Sequence, residues 1–236
     1  MTPEQLREQV ALACRIIASE GYTDLTLGHV SARNPGARTV WIKRKGPALG
    51  EVTPEDVIAL DIEDAGALRR HEYHLESVMH TEIYRVRPEV GCVIHGHPIF
   101  GTALGASDAE LLMLTHDAVL FADGLGIYDD GPALITEPQH GRMVAEALGM
   151  RRAALLRNHG VVIAGNDVPW AVLTAVTLER AIRFQATVGS LGNPRPISNQ
   201  AARDLLPQKY QEGFLAEYWA AWVRTLGERG ASGDAA

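Results

Sequence analysis

The sequence predicts a single α/β domain. Segments with strand-like alternation of apolar residues lie mostly in the first two-thirds of the chain. Segments of helical period fall between and after them, placed to cover both sides of a sheet. The length of 236 residues is enough for one full hydrophobic core, and no repeat, low-complexity block or Ser/Pro linker divides it. The domain is expected to span residues 1–228, with a disordered tail over 229–236.

Taken in order, the chain opens on a helix. Thr2 can cap it, Pro3 suits the first helical position and Gln5 completes a capping box. Leu6, Val10, Ala13 and Ile17 recur at helical spacing, and Gly21 ends the element. "LTLGHVSARNP" reads as a turn leading into a strand. "RTVWIKRKG" reads as a strand in which Val40 and Ile42 alternate with polar neighbours, and "TPEDVIALDI" as a proline turn followed by a strand from Val57 to Ile62. "HEYHLESVMHTEIYRVRPEV" places Leu75, Val78 or Met79, and Ile83 at helical spacing, and Pro88 closes that helix. "VGCVIHGHP" is a short buried strand. Thr102 to Leu114 reads as a short helix and loop, and "HDAVLFADGLGIYDDG" carries strand and turn signals. Gln139 to Leu148 is a helix opened by Glu137 and Pro138. "RAALLRNHGVVIAG" reads as two strands joined at Asn158-His159-Gly160. "VPWAVLTAVTLERAIRFQATVG" and "PQKYQEGFLAEYWAAWVRTLGER" each read as a long helix. In the second, Phe214, Tyr218, Trp219 and Trp222 form a packing stripe.

Composition excludes several classes of function. The apolar share of 46% and charged share of 22% are those of an ordinary globular chain. A net charge of -7 argues against a general nucleic-acid binder. Cys14 and Cys92 cannot build a framework of several disulfides, and their apolar surroundings read as buried and reduced. The N-terminus carries acids and a polar face, unlike a signal peptide. No window approaches the roughly 18 apolar residues of a membrane span. The expectation is a cytoplasmic protein acting on a small molecule, with no nucleic acid and no membrane partner.

"VIHGHPIF" is the chemically informative stretch. Residues i and i+2 of a strand face the same side, so His95 and His97 project together, with Gly96 leaving the opposite side open. Two neutral imidazoles placed this way suit a shared divalent metal; the plain alternative is a pair of satisfied core histidines. His159, in the turn of "RNHGVV", and Glu76, one turn ahead of His80, extend the pair to three histidines and a carboxylate, a set that leaves room for substrate. Alone, His159 would read as a turn residue and Glu76 as a solvated helix position.

"ESVMHTEIYRVRPEVGCVIHGHP" followed by "LLRNHGVVIAG" resembles the class II aldolase/adducin family in order and spacing, from about Glu4 to Gln185; "TPEDVIALD" also matches a family segment. The resemblance implies an α/β/α sandwich around a mainly antiparallel sheet. It implies His95, His97 and His159 as metal ligands and Glu76 as catalytic acid/base. It also implies a homotetramer with active sites at subunit interfaces. The expected cofactor is one divalent metal ion per subunit, with zinc first and manganese or iron as alternatives.

The chain departs from the sugar-phosphate members of that family at all three of their phosphate-binding elements. Where a Gly-Asn stands in "TSGNISVR", this chain has His29 in "TLGHVSAR". The Ser-Gly of "TPSG" is replaced by Lys43-Arg44-Lys45 before Gly46, and a Ser-Ser pair by Tyr73 and His74. Cations still bind phosphate as point charges, but added imidazoles and cations also suit a flatter substrate with carboxylates. The pattern resembles the metal-dependent decarboxylases of hydroxylated aromatic dicarboxylates, such as those of 3-hydroxy-2-methylpyridine-4,5-dicarboxylate and 3,4-dihydroxyphthalate. The expected function is therefore a carbon–carbon lyase, a decarboxylase by preference. An aldolase or 4-epimerase of sugar phosphates is the alternative, and a non-catalytic adducin-like module the second. His29, Lys43, Arg44, His74, His116 and Tyr128 are the expected substrate-binding residues, with Tyr128 and Tyr218 candidates to reach across a subunit boundary.

Overall fold

Seven strands form one sheet: β1 (His29–Ala32), β2 (Thr39–Lys43), β3 (Val57–Asp61), β4 (Cys92–Gly96), β5 (Gly126–Tyr128), β6 (Ala153–Leu156) and β7 (Gly160–Gly165). Their spatial order in the computed structural model is β3-β2-β1-β4-β7-β6-β5. Every neighbouring pair is antiparallel except β5 and β6, which run parallel. The structure describes residues 1–64, 66–131 and 133–232.

Seven α-helices cover the sheet: α1 (Pro3–Ser19), α2 (Val78–Val86), α3 (Ile99–Gly105), α4 (Pro138–Leu148), α5 (Val168–Leu191), α6 (Asn199–Lys209) and α7 (Glu212–Ser232). Alternate residues of the central strands feed two different cores. Ile94, Leu155, Val161 and Ile163 pack with residues of α1 and α5, whereas Val93, Leu156, Val162 and Ala164 pack with α2 and α4. A sheet buried on both faces needs apolar side chains at consecutive positions, which is why β4, β6 and β7 read as continuous apolar runs. The result is the expected α/β/α sandwich around a mainly antiparallel sheet.

Local chemistry sets several element ends. Thr2 and Gln5 form the reciprocal cap of α1, with Gln5 N–H donating to Thr2 Oγ1 at 3.3 Å and Thr2 N–H to Gln5 Oε1 at 2.9 Å. Helix α3 begins at Ile99 rather than Thr102 because Glu179, on α5, accepts the Phe100 and Gly101 N–H groups at 2.9 and 2.8 Å. That cap arrives from a residue distant in sequence. The helix expected from Pro207 onward is two helices. Ser198 Oγ caps α6, Pro207 lies inside it, and the backbone leaves helical geometry at Tyr210 before α7 starts. The polar run "NQAARD" hides this helix from a hydrophobic pattern. Residues 229–232, expected in the disordered tail, belong to α7, which continues through Ser232; residues 233–236 lie outside the described residues. Cys14 and Cys92 are free and buried, and burial pushes the Cys14 thiol up to about 12. Among the described residues no helix is long and apolar enough to cross a membrane.

Candidate active site

The sheet gathers the chemistry at the end of β4. His95 lies on β4 opposite His29 of β1, and its Nδ1 donates to the Val161 carbonyl of β7 at 2.9 Å. That bond fixes the tautomer and leaves Nε2 as the lone-pair nitrogen. This nitrogen is buried and has no hydrogen-bond partner among the described residues. His97 follows the strand's end. Its backbone N–H donates to Asp24 Oδ2 at 2.7 Å, and the same oxygen lies 3.4 Å from its Nδ1. The side of Gly96 expected to be open is filled: a Cβ there would stand 2.8 Å from both Asp24 Oδ2 and Tyr22 Cδ1.

His159 reaches the same place from the turn between β6 and β7. Asn158 adopts φ 56°, a left-handed conformation that asparagine tolerates, and Gly160 lets β7 start hard against β4. Glu76 sits in a short 3₁₀ turn, Leu75–Ser77, just before α2. Its Oε1 accepts the Ile135 N–H at 3.0 Å, and its Oε2 lies 3.4 Å from His159 Nε2 and 3.6 Å from His95 Nε2. Burial pushes the Glu76 carboxyl up, but His159, 3.4 Å from Oε2, opposes it and holds the group well below the usual carboxylate range. Burial likewise lowers His95, with Glu76 opposing.

One potential ligand atom from each of Glu76, His95, His97 and His159 lies within 4.8 Å of the others. Three nitrogen donors, one carboxylate oxygen and an orphaned buried Nε2 fit a divalent metal ion. Asp24 beside His97 and the Val161 carbonyl under His95 are the outer partners that orient metal-bound imidazoles.

A cavity of about 280 Å³ opens beside this cluster. Glu76, His97 and His159 line it, together with His29, His74, Lys45 and three leucines, Leu27, Leu75 and Leu134. Lys43 is not in that lining. It is wholly buried, and its Nζ donates to the Thr26 and Arg44 carbonyls at 3.2 and 3.3 Å and to His74 Nε2 at 3.2 Å. Burial and the Lys43 charge hold His74 down at about 3, so its ring is neutral. Arg44 pairs with Asp56 at 2.7 Å. His116 is exposed in a turn, and Tyr128 is buried in the core shared with α2 and α4; neither lines the cavity in the single chain.

Of two further contributors, one was named in the sequence only within a run of three cations and the other escaped it. Lys45 brings the cation to the cavity, but the Lys-Arg-Lys run alone could not tell which member is consumed internally. His80 stands behind His29, at 2.8 Å, and its only sequence signal was its position one helical turn after Glu76.

This sheet with its glutamate and three histidines is the class II aldolase fold. Residues 8–186 match the Class II Aldolase and Adducin N-terminal domain, and the chain belongs to that family. Among curated relatives it is 33% identical over 184 residues to the Meiotically up-regulated gene 14 protein of Schizosaccharomyces pombe, covering 77% of this chain and 72% of that one. It is 32% identical over 239 residues to a 3,4-dihydroxyphthalate decarboxylase of Terrabacter sp., covering 94% and 97% of the two chains. It is 31% identical over 202 residues to the decarboxylase NovR of Streptomyces niveus, covering 84% and 75%. Among solved structures, L-fuculose 1-phosphate aldolase of Glaciozyma antarctica superposes with a TM-score of 0.82 at 25% identity, covering 97% of this chain and 91% of that one. Class II aldolases use a divalent metal and act on small molecules, and the glutamate–histidine cluster is one that could hold the ion.

Proposed function

We propose that the protein is a metal-dependent carbon–carbon lyase that removes carbon dioxide from a hydroxylated aromatic carboxylate or dicarboxylate. The observation that carries this reading is the cavity wall. Imidazoles and exposed leucine side chains stand where a sugar phosphate would need clustered hydroxyls and amides. A flat ring suits apolar walls, and Lys45 offers a cation for a second carboxylate. The decarboxylases among the relatives support the same choice.

His95, His97 and His159 would hold the ion, with Glu76 beside it. When bound, the metal would stabilise negative charge on the oxygen next to the reacting carbon. Glu76 enters the reaction ionised, so it first takes the proton of a ring hydroxyl of the substrate and then returns it to the ring carbon that loses carbon dioxide, the phenolate left behind taking its proton back from solvent. The Ile135 N–H holds one carboxylate oxygen and leaves the other free to exchange that proton. The same residues serve aldol cleavage, in which Glu76 would shuttle the enediolate proton. Lys45 at the cavity favours that second reading if its partner is a phosphate. A homotetramer with interface sites belongs to the proposal, since the leucines around the cavity and the exposed Phe214 and Tyr218 of α7 are surfaces an assembly would cover.

The test is turnover on two panels, hydroxyaromatic dicarboxylates and ketose 1-phosphates, with carbon dioxide release monitored. Carbon dioxide from the first panel is expected. Aldol cleavage of the second without carbon dioxide would overturn the proposal.

A further inference from the structure

A buried chain of hydrogen bonds runs behind the cavity wall and ends on His29. His29 Nδ1 lies 2.8 Å from His80 Nε2, and His80 Nδ1 lies 2.6 Å from Ser31 Oγ. Ser31 Oγ lies 2.9 Å from the Tyr84 hydroxyl, which donates to the Ser31 carbonyl at 3.1 Å. All four side chains are buried. No carboxylate joins the chain among the described residues, and the Lys43 ammonium stands just beyond His74, whose ring packs 4.6 Å from that of His29. An extra proton here would be an uncompensated buried charge, so each imidazole carries one proton.

Those protons can be arranged in two orders. In the first, Tyr84 donates to the Ser31 carbonyl, Ser31 to Tyr84, His80 Nδ1–H to Ser31 and His29 Nδ1–H to His80 Nε2. Four hydrogen bonds form, and no buried donor is wasted. In the reverse order Tyr84 donates to Ser31, Ser31 to His80 Nδ1 and His80 Nε2–H to His29 Nδ1. Only three bonds form, because Ser31 gives its one proton to His80 and the single Tyr84 proton then serves either Ser31 Oγ or the Ser31 carbonyl, never both. The first order is the fuller one. It leaves His29 Nε2, which has no hydrogen-bond partner among the described residues, as a bare lone pair on a ring that lines the cavity.

We propose that the His80–Ser31–Tyr84 chain fixes His29 as a hydrogen-bond acceptor, so that the site selects substrates presenting a hydroxyl proton at that point. A carboxylate or phosphate oxygen there would set lone pair against lone pair. A phenolic or enolic hydroxyl donates. His80, Ser31 and Tyr84 are positioning residues, since they act through His29. The selecting role rests on the reading of this cavity as the substrate site of a lyase; the proton order does not.

The test is long-range proton–nitrogen correlation on ¹⁵N-histidine-labelled protein loaded with diamagnetic zinc, with rings assigned through His29→Gln and His80→Gln. A protonated Nδ1 and bare Nε2 are expected for both rings. In Tyr84→Phe and in Ser31→Ala the terminal acceptor is lost, and both rings should switch to Nε2–H, whereas Ser31→Thr should keep the original tautomers. The switched variants should show KM raised about tenfold for a hydroxyaromatic carboxylate, the effect of turning one acceptor into a donor, with metal content unchanged. A protonated His29 Nε2 in the unmutated protein would overturn the proposal. So would unchanged tautomers in folded Ser31→Ala, or switched tautomers with unchanged KM. If His29 carries its proton on Nδ1 but the protein turns over only ketose 1-phosphates, the decarboxylase reading falls and the proton order stands.

Discussion

Glu76 and Lys45 show how burial assigns roles to single charges. Burial alone would favour a neutral Glu76, and the adjacent His159 imidazole reverses that. Replacing Glu76 by Gln keeps the acceptor for the Ile135 N–H and removes the charge. Turnover should fall by about 10²–10⁴-fold while bound metal, measured by elemental analysis, stays at the level of the parent protein. An active Glu76→Gln enzyme would remove the residue from proton transfer. Of the three consecutive cations, Lys43 is committed to carbonyls and His74, Arg44 pairs with Asp56, and Lys45 faces the cavity. Lys45→Met should therefore raise KM about tenfold with little change in kcat, and Arg44→Met should change neither by more than about twofold. Equal effects of the two would refute the assignment. The same-side pair His95 and His97 was readable from strand periodicity, and His159 and Glu76 joined it through the family resemblance; the structure brings the four together. Which cation meets the cavity was not readable, because it depends on a lysine turned inward beneath an imidazole.

The β6–β7 turn ties element geometry to the site. Gly160 lets the start of β7 lie against Gly96, and a Cβ there would stand 2.5 Å from the Gly96 carbonyl oxygen and 2.8 Å from His97 Cδ2. The oxygen belongs to a paired strand and cannot move aside alone. Gly160→Ala should cost about 1–3 kcal/mol in urea unfolding and also weaken metal binding in titration, since it pushes the three histidines apart. Gly213→Ala, in α7 where nothing lies within 4 Å of the added methyl, is the control and should be neutral or stabilising by up to about 1 kcal/mol. Metal affinity in Gly160→Ala equal to that of the control would show that the turn does not set the cluster. Strand identities were legible at this scale, because a sheet buried on both sides writes long apolar runs. The start of α3 was not, since Glu179 caps it from α5, and α6 was hidden by its polar face.

At the scale of the whole molecule, the sandwich holds a polar cluster that one ion would complete. Among the described residues His95 Nε2 is buried without a hydrogen-bond partner, and Glu76 Oε2 lies 3.6 Å from it and 3.4 Å from His159 Nε2. An unpartnered buried acceptor destabilises the fold, and a metal bound only by the folded state stabilises it by mass action. With the ion at a hundred times its dissociation constant, the linkage amounts to about 2.7 kcal/mol. For a domain of this size that corresponds to a melting-temperature difference of about 5–10 °C. Chelation should therefore lower Tm by that order, and added zinc or manganese should restore it. His159→Ala removes one donor from a turn on the surface and leaves the sheet core intact. It should melt near the chelated parent and respond only weakly to added metal. The measurement is a pair of thermal scans, with chelator and with excess metal, on both proteins. Identical Tm values for the parent in the two conditions would mean that the cluster holds no ion, and the non-catalytic reading of the fold would then account better for these four side chains.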